Sequence, residues 1–180
     1  GMVFFACLVF FLAIGVLGGY EGCVGGGGDD FLSGGAGSDT YRFGRGYGQD
    51  TINNFDTGFG RQDVIRLSTD VLPSDVIVTR GVDPSRAELG QADLILAIAG
   101  TQDQVTVRGF FAAEPNQIQQ VIFGDGTIWD VSTLISKAET LKGTAGADVL
   151  KGTGLIVNET LIGLDGNDEL DGGAGVDLLI

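Results

Sequence analysis

The feature that most constrains this chain is a nine-residue period that occurs in two separate stretches. Residues 25–33 read GGGGDDFLS, 34–42 read GGAGSDTYR and 45–53 read RGYGQDTIN; farther on, 143–151 read GTAGADVLK, 163–171 read GLDGNDELD and 172–180 read GGAGVDLLI. All six units carry Gly at the fourth position, Asp at the sixth and an aliphatic or aromatic residue at the eighth. Residues 152–162 form an 11-residue degenerate copy, with Glu159 in the acidic place and Leu161 in the apolar one. A further degenerate unit, 16–24, has Gly19, Glu21 and Cys23 in phase.

Nine residues suffice for one tight turn and one very short strand. Gly supplies the positive-φ conformations of the turn, and period-2 alternation in the strand points one side chain inward. The expected interior is therefore Leu32, Tyr41, Ile52, Leu150, Leu161, Leu170 and Leu179. Two nonamers make one coil, so turns two units apart share an edge. Asp30 is expected to face Asp50, and Asp39 to lie near Asn54 or Asp56; in the later stretch Asp148 meets Asp168, and Glu159 meets Asp177. Carboxylates about 5 Å apart repel by about 3 kcal/mol at an effective dielectric near 20. Such turns need a cation to close.

Composition follows the repeats. Of 32 Gly, 21 lie in residues 25–63 and 141–180, and only 6 in residues 64–140. Asp outnumbers Glu 18 to 6, because a short carboxylate arm suits a cation held by its own turn. Formal charges of −1, −3, −5 and −5 over 1–24, 25–63, 64–140 and 141–180 disfavour nucleic acid as a partner. With no His and two Cys, Ser-His-Asp and Cys-His nucleophiles and His-based zinc sites are excluded. No G-x-S-x-G, H-E-x-x-H or G-x-x-x-x-G-K motif occurs, so no catalytic residue is assigned.

Residues 64–140 lose the Gly and gain strand-like runs at 64–67, 76–80, 94–99, 104–107, 118–123 and 127–131. Asp125-Gly126 is a hairpin signal, and residues 100–103 a looser one. A closing helix is expected from Ser132, as cap, to Leu141. Trp129, Phe110 and Phe111 lie in runs with core periodicity, which favours packing over a sugar-stacking surface.

The pattern G-G-x-G-x-D-x-U-x resembles the haemolysin-type RTX calcium-binding repeat. DLILAIAG (93–100), VTVRGFF (105–111) and QIQQVIFGDGTIWD (117–130), preceded by FGRGYGQDTINNF (43–55) and DVIRL (63–67), resemble the haemolysin-type calcium-binding-related domain found between such blocks. The resemblance implies an all-β fold: a parallel β-roll in two blocks, 25–63 and 141–180, flanking a small β-rich domain, 64–140, with a short closing helix. It implies Ca²⁺ as the ion, which takes six to eight oxygen ligands in flexible geometry. It also implies turn carbonyls and the sixth-position Asp as ligands. Residue by residue these are Gly25, Gly26, Gly27, Gly28 and Asp30, then Gly34, Gly35, Ala36, Gly37 and Asp39, then Gly46, Gly48 and Asp50. The second block contributes Gly143, Gly146 and Asp148, then Gly163, Gly166 and Asp168, and last Gly172, Gly173, Gly175 and Asp177. Arg45 at a first position and Glu159 at a sixth depart from the pattern.

Residues 1–24 hold an uncharged apolar run, Met2–Leu17. Three readings stand side by side: the core of a secretory signal or membrane-associated segment, an apolar strand or helix covering the first coil, and the cut edge of a longer chain. Only residues 2–17 offer membrane contact, and a disulfide between Cys7 and Cys23 has no pattern behind it. The last unit closes on Ile180 without a polar cap, so the array is expected to continue into a longer parent chain. The expected function is a non-catalytic calcium-binding module that is secreted by a type I route and folds on Ca²⁺ outside the cell. The alternatives are a piece of a membrane-active RTX toxin and the export module of an RTX hydrolase or adhesin.

Overall fold

The computed structural model describes residues 3–6, 21–82, 92–152 and 158–180. In its first half the strands alternate between two sheets, as expected of half-coils. Strands β1 (Val3–Ala6), β3 (Asp30–Ser33) and β5 (Gln49–Ile52) pair in parallel on one side, and β2 (Glu21–Val24), β4 (Asp39–Phe43) and β6 (Val64–Leu67) on the other. Part of the apolar N-terminal run is thus a rung of the first sheet. The remainder of that run lies outside the described residues.

Composition changes at residue 63, but the sheets do not stop there. On one side β5 pairs in parallel with β9 (Gln104–Val107), which continues antiparallel through β8 (Asp93–Ile98) to β7 (Val76–Gly81). On the other, β6 pairs in parallel with β10 (Gln120–Ile122), followed antiparallel by β11 (Ile128–Asp130). The sheet orders are β1-β3-β5-β9-β8-β7 and β11-β10-β6-β4-β2. Parallel rungs hand over to antiparallel strands, and the two hairpin turns that the sequence signalled form where expected, with Gly126 at φ 89° and Gly100 at φ 76°.

Strand alternation aligns the core in rows. Cys23, Tyr41, Ile65, Val121 and Trp129 are register partners across one sheet, and Leu32, Ile52, Val107 and Leu94 across the other. All nine are buried in one continuous cluster with Phe43, Phe110, Ile118, Phe123 and Leu134. Phe111 packs against it half-buried, so the aromatic residues of this segment are packing groups. Cys23 is disulfide-bonded and the other cysteine lies outside the described residues.

The helix differs from expectation. α1 spans Val131–Ala138, and its cap is Asp130, whose Oδ1 accepts from the Thr133 N–H at 2.8 Å, while Ser132 sits inside the helix and donates its hydroxyl to Asp130. A carboxylate at the N-cap accepts the orphan amide better than a hydroxyl two residues on. Leu141 belongs to a strand, β12 (Thr140–Lys142), because the chain re-enters the repeat register there and pairs with β14 (Thr160–Ile162).

In the second block β12, β14 and β16 (Leu178–Leu179) form one parallel sheet, and β13 (Val149–Lys151) and β15 (Glu169–Asp171) the other. Leu161 is fully buried, whereas Leu150 and Leu170 are half-buried and Leu179 is 48% exposed. The two-stranded sheet is too narrow to cover Leu150 and Leu170, and Leu179 lies on an outermost strand paired only with β14. In the first block all three expected interior residues are sealed.

Tyr41 is fully buried and uses its hydroxyl twice: Oη accepts from the Gly34 N–H at 3.0 Å and donates to Asn54 Oδ1 at 2.8 Å. Tyr41→Phe leaves a buried amide and a buried carbonyl without partners. It is expected to lower the unfolding free energy of the calcium-loaded chain by about 1–3 kcal/mol, measured by urea denaturation.

Candidate metal sites in the stacked turns

Each turn is shaped by its glycines. Gly26 and Gly28, at the second and fourth positions, have φ of 90° and 124°. The same second-position conformation is forced on Leu164, at φ 71°, so the turn geometry is a property of the stack. Gly at the first position has a different reason: a Cβ at Gly25, Gly34, Gly163 or Gly172 would collide with the carboxylate of Asp30, Asp39, Asp168 or Asp177. In these four units the sixth-position side chain folds back over its own turn and leaves no room for a Cβ at the first position; Arg45, first in the third unit, is the exception.

Successive turns on one edge are tied by a recurring bond. The Asp30 N–H donates to Asp50 Oδ1 at 3.1 Å, Asp148 N–H to Asp168 Oδ1 at 3.0 Å, and Glu159 N–H to Asp177 Oδ1 at 3.0 Å. These are the pairs that the period implies. Asp39 departs from it: its N–H donates to Asp63 Oδ1 at 2.9 Å. The connection 53–63 is longer than a nonamer, so the acid in register with Asp39 is the one just before β6. Asn54 is drawn to Tyr41, and Asp56 Oδ2 accepts from the Gly37 N–H at 2.9 Å. Asp63-Val64-Ile65 repeats the acid-x-apolar spacing of the units, a signal that locates Asp63 without a glycine turn before it.

The two edges of the first block are built differently. On one, Asp30 and Asp50 are buried, and Asp30 Oδ2 and Asp50 Oδ2 have no hydrogen-bond partner among the described residues. Loss of water pushes the Asp50 carboxyl up to about 6; the Asp30 N–H opposes this, and the charges of Asp30, Asp29 and Asp103 reinforce it. Backbone oxygens gather at the same edge. Gly46 O lies 3.3 Å from where a Gly27 Cβ would stand, and Gly28 O would block a Cβ on Gly48. Buried carboxylate oxygens with open lone pairs, beside turn carbonyls, fit a hard cation with oxygen ligands. Mg²⁺ fits poorly, because it keeps its waters and demands strict octahedral geometry.

On the opposite edge Asp63 takes its positive charge from the chain itself. Arg61, 5% exposed, donates Nε to Asp63 Oδ2 at 3.0 Å and two further bonds to Glu114, at Oε1 and at the backbone oxygen. Asn54 Nδ2 also reaches Asp63 Oδ2, at 2.8 Å, so the Asp63 carboxylate is fully engaged. Sequence reading missed this clamp, since nothing in the period points to an arginine.

Asp103 is the other unforeseen group. Its oxygens accept from the Gly46 and Gly48 N–H groups, both at 2.9 Å, and these bonds hold its carboxyl below the usual range. The hairpin 100–103 thereby closes the turn at 45–48, where no further glycine turn follows. Arg45, the departure at a first position, pairs outward with Asp75 at 3.1 Å. Among the described residues no group of three or more Asp, Glu or Cys side chains converges on one point.

Residues 24–52, 136–154 and 153–180 match the RTX calcium-binding nonapeptide repeat (4 copies), and residues 93–133 match the haemolysin-type calcium binding protein related domain. Over 114 residues the chain is 34% identical to the iron-regulated protein FrpA of Neisseria meningitidis serogroup C. That alignment takes in 62% of this chain and 9% of the relative, so the chain spans a small part of the relative's length.

Raising the Asp50 pKa means that its ionised form is the disfavoured one in the folded, metal-free chain. For this group the metal-free fold gains stability as pH falls from about 6 toward the ordinary Asp value, and loses it as pH rises through that window. A cation reverses the preference. Calcium binding near pH 6 is expected to release protons, seen as a buffer-dependent binding enthalpy in calorimetry, and Asp50→Asn is expected to reduce that release.

Proposed function

We propose that this chain, whose glycine-rich blocks are RTX calcium-binding nonapeptide repeats around a haemolysin-type calcium-binding-related domain, is a non-catalytic module of a longer secreted protein, and that Ca²⁺ completes its fold. The repeats bind Ca²⁺. The observation that carries the rest is the Asp30/Asp50 edge, where two buried carboxylates keep unpartnered oxygens against stacked turn carbonyls. In this reading the ion is held by the turn backbone of 25–28 and 46–48 with Asp30 and Asp50. The turn backbone stacks in the same way at Gly143, Gly146, Gly163 and Gly166, beside the half-buried Asp148 and Asp168, and in this reading forms a second site; the remaining turns, 34–37 with Asp39 and 172–175 with Asp177, serve as further sites.

Without the ion, each such edge confines like charges in a partly desolvated place. With it, those charges become the reason to close. At a dissociation constant near 10⁻⁴ M, typical of extracellular modules, one site adds about 1.4 kcal/mol at 1 mM Ca²⁺. Four such sites add about 6 kcal/mol, comparable with the whole stability of a small domain. A chain poised in this way stays unfolded during export at low calcium and orders outside, which suits type I secretion. The pairing of β1 with β3 supports reading part of the N-terminal apolar run as roll.

The test is far-UV circular dichroism during calcium titration, with magnesium as control. The β signal is expected to be incomplete in excess chelator and to be completed by calcium in the millimolar range. Asp168→Ala should lower the calcium stoichiometry and loosen the second block first, whereas Asp83→Ala, outside any repeat, should change neither. A full β spectrum in chelator, unmoved by calcium, would sink the reading.

A further inference from the structure

The outer face of the sheet β11-β10-β6-β4-β2 carries one row of register partners: Val24, Arg42, Arg66, Ile122 and Ile128. Arg42 and Arg66 are therefore nearest neighbours on parallel strands, about 4.8 Å apart along the ladder, and both are exposed. Like charges set directly opposite destabilise a sheet. In a chain of net charge −14, an acidic partner would be the ordinary remedy. Neither arginine has one among the described residues. The other described arginines are all engaged: Arg45 with Asp70 and Asp75, Arg61 with Asp63 and Glu114, Arg80 with Glu139, and Arg108 over the Phe31 ring.

The pair stands at a cavity of about 280 Å³, whose lining includes Tyr47, Ser68, Thr69 and Phe123 and no carboxylate. The two nearest acids in sequence are turned to other tasks. Asp70 lies 3.8 Å from Arg45, and Asp125 accepts from the Thr127 N–H at 2.9 Å. Two guanidiniums, two hydroxyls and a tyrosine thus surround an opening with uncompensated positive charge, on a protein that is acidic elsewhere.

We propose that this cavity binds a tetrahedral oxyanion, a sulfate or phosphate ester carried on a small polar body such as a sugar ring. A carboxylate presents its two oxygens along a single edge, so two forks from neighbouring strands would converge on the same pair of atoms. A sulfate or phosphate instead offers a separate oxygen edge to each fork. The Thr69 hydroxyl adds a donor at the cavity wall, the Ser68 hydroxyl being given to the Phe43 carbonyl oxygen, and the volume has room for one such group and a single ring. The site is separate from the calcium turns and repels cations, so calcium binding and anion binding do not compete. Calcium neutralises the acidic edges and leaves this patch the more attractive to an anion.

The test uses the calcium-loaded 180-residue chain, titrated with sodium sulfate and with glucose 6-sulfate at constant ionic strength and followed by amide chemical shifts and calorimetry. Saturable one-to-one binding is expected, with glucose 6-sulfate at least tenfold tighter than sulfate. Arg42→Ala and Arg66→Ala should each weaken both ligands at least tenfold, and Lys142→Ala, which removes one exposed charge elsewhere, should stay within twofold. Both arginines are exposed, so the calcium-loaded circular dichroism of the variants should match the parent. In the unmodified chain, the shifts caused by sulfate should centre on Ser68, Thr69 and Gly124, a readout that needs no variant. Equal affinity for the two ligands would support the anion site with the free ion as occupant. No saturable binding, an equal loss in Lys142→Ala, or shifts centred elsewhere would overturn the proposal.

Discussion

The bond on which the structure depends is the one from the backbone N–H of an acidic residue on one rung to the carboxylate of its counterpart on the next rung of the same edge. It appears at Asp30/Asp50, Asp39/Asp63, Asp148/Asp168 and Glu159/Asp177. It locks register, since a slip of one residue would send every inward side chain outward. It also places carboxylates in a column close to the sheet edge, where water is partly excluded and their charges add. The first-position glycines, the positive-φ turns and the apolar eighth position all follow from fitting that column onto a two-sheet core.

A column of buried carboxylates needs compensation, and the chain supplies it in two ways. At Asp63 the compensating charge is Arg61, held in turn by Glu114. At Asp30 and Asp50 no side chain among the described residues does this, and two oxygens stay open. The first solution is permanent and the second conditional on an ion. The permanent one sits where the parallel rungs join the hairpins of β7–β9 and β10–β11, so that the first block leans on a neighbour that does not itself depend on stacked glycine turns. Asp103 serves the same end on the other side by capping the amides of Gly46 and Gly48.

Much of this was legible in the sequence, because a strict period carries three-dimensional information directly. Turn, strand and inward residue come from one nonamer, and the pairing of Asp30 with Asp50 or Asp148 with Asp168 comes from counting two units. Legibility failed where the period stopped. The register partner of Asp39 was not legible because residues 53–63 are longer than a unit, and only the Asp63-Val64-Ile65 spacing marks the resumed register. Arg61 and Asp103 were invisible, since each reaches its partners through tertiary geometry: Asp103 meets Gly46 and Gly48 from a hairpin far along the chain. The helix cap moved from Ser132 to Asp130 for a local reason, the greater strength of a carboxylate acceptor. The interior positions Leu150, Leu170 and Leu179 were right in phase and wrong in burial, because burial depends on how many rungs lie alongside.

The central claim is that the carboxylate-paired turns close only around an ion, except where the chain provides its own cation. Amide hydrogen exchange of the full chain, in excess chelator and in millimolar calcium, tests it at the bonds themselves. The account predicts that the amides of Asp30 and Asp148 exchange freely in chelator and become protected with calcium, while that of Asp39, bonded to the Arg61-held Asp63, is protected in both. Equal protection of Asp30 and Asp148 in the two conditions would contradict it.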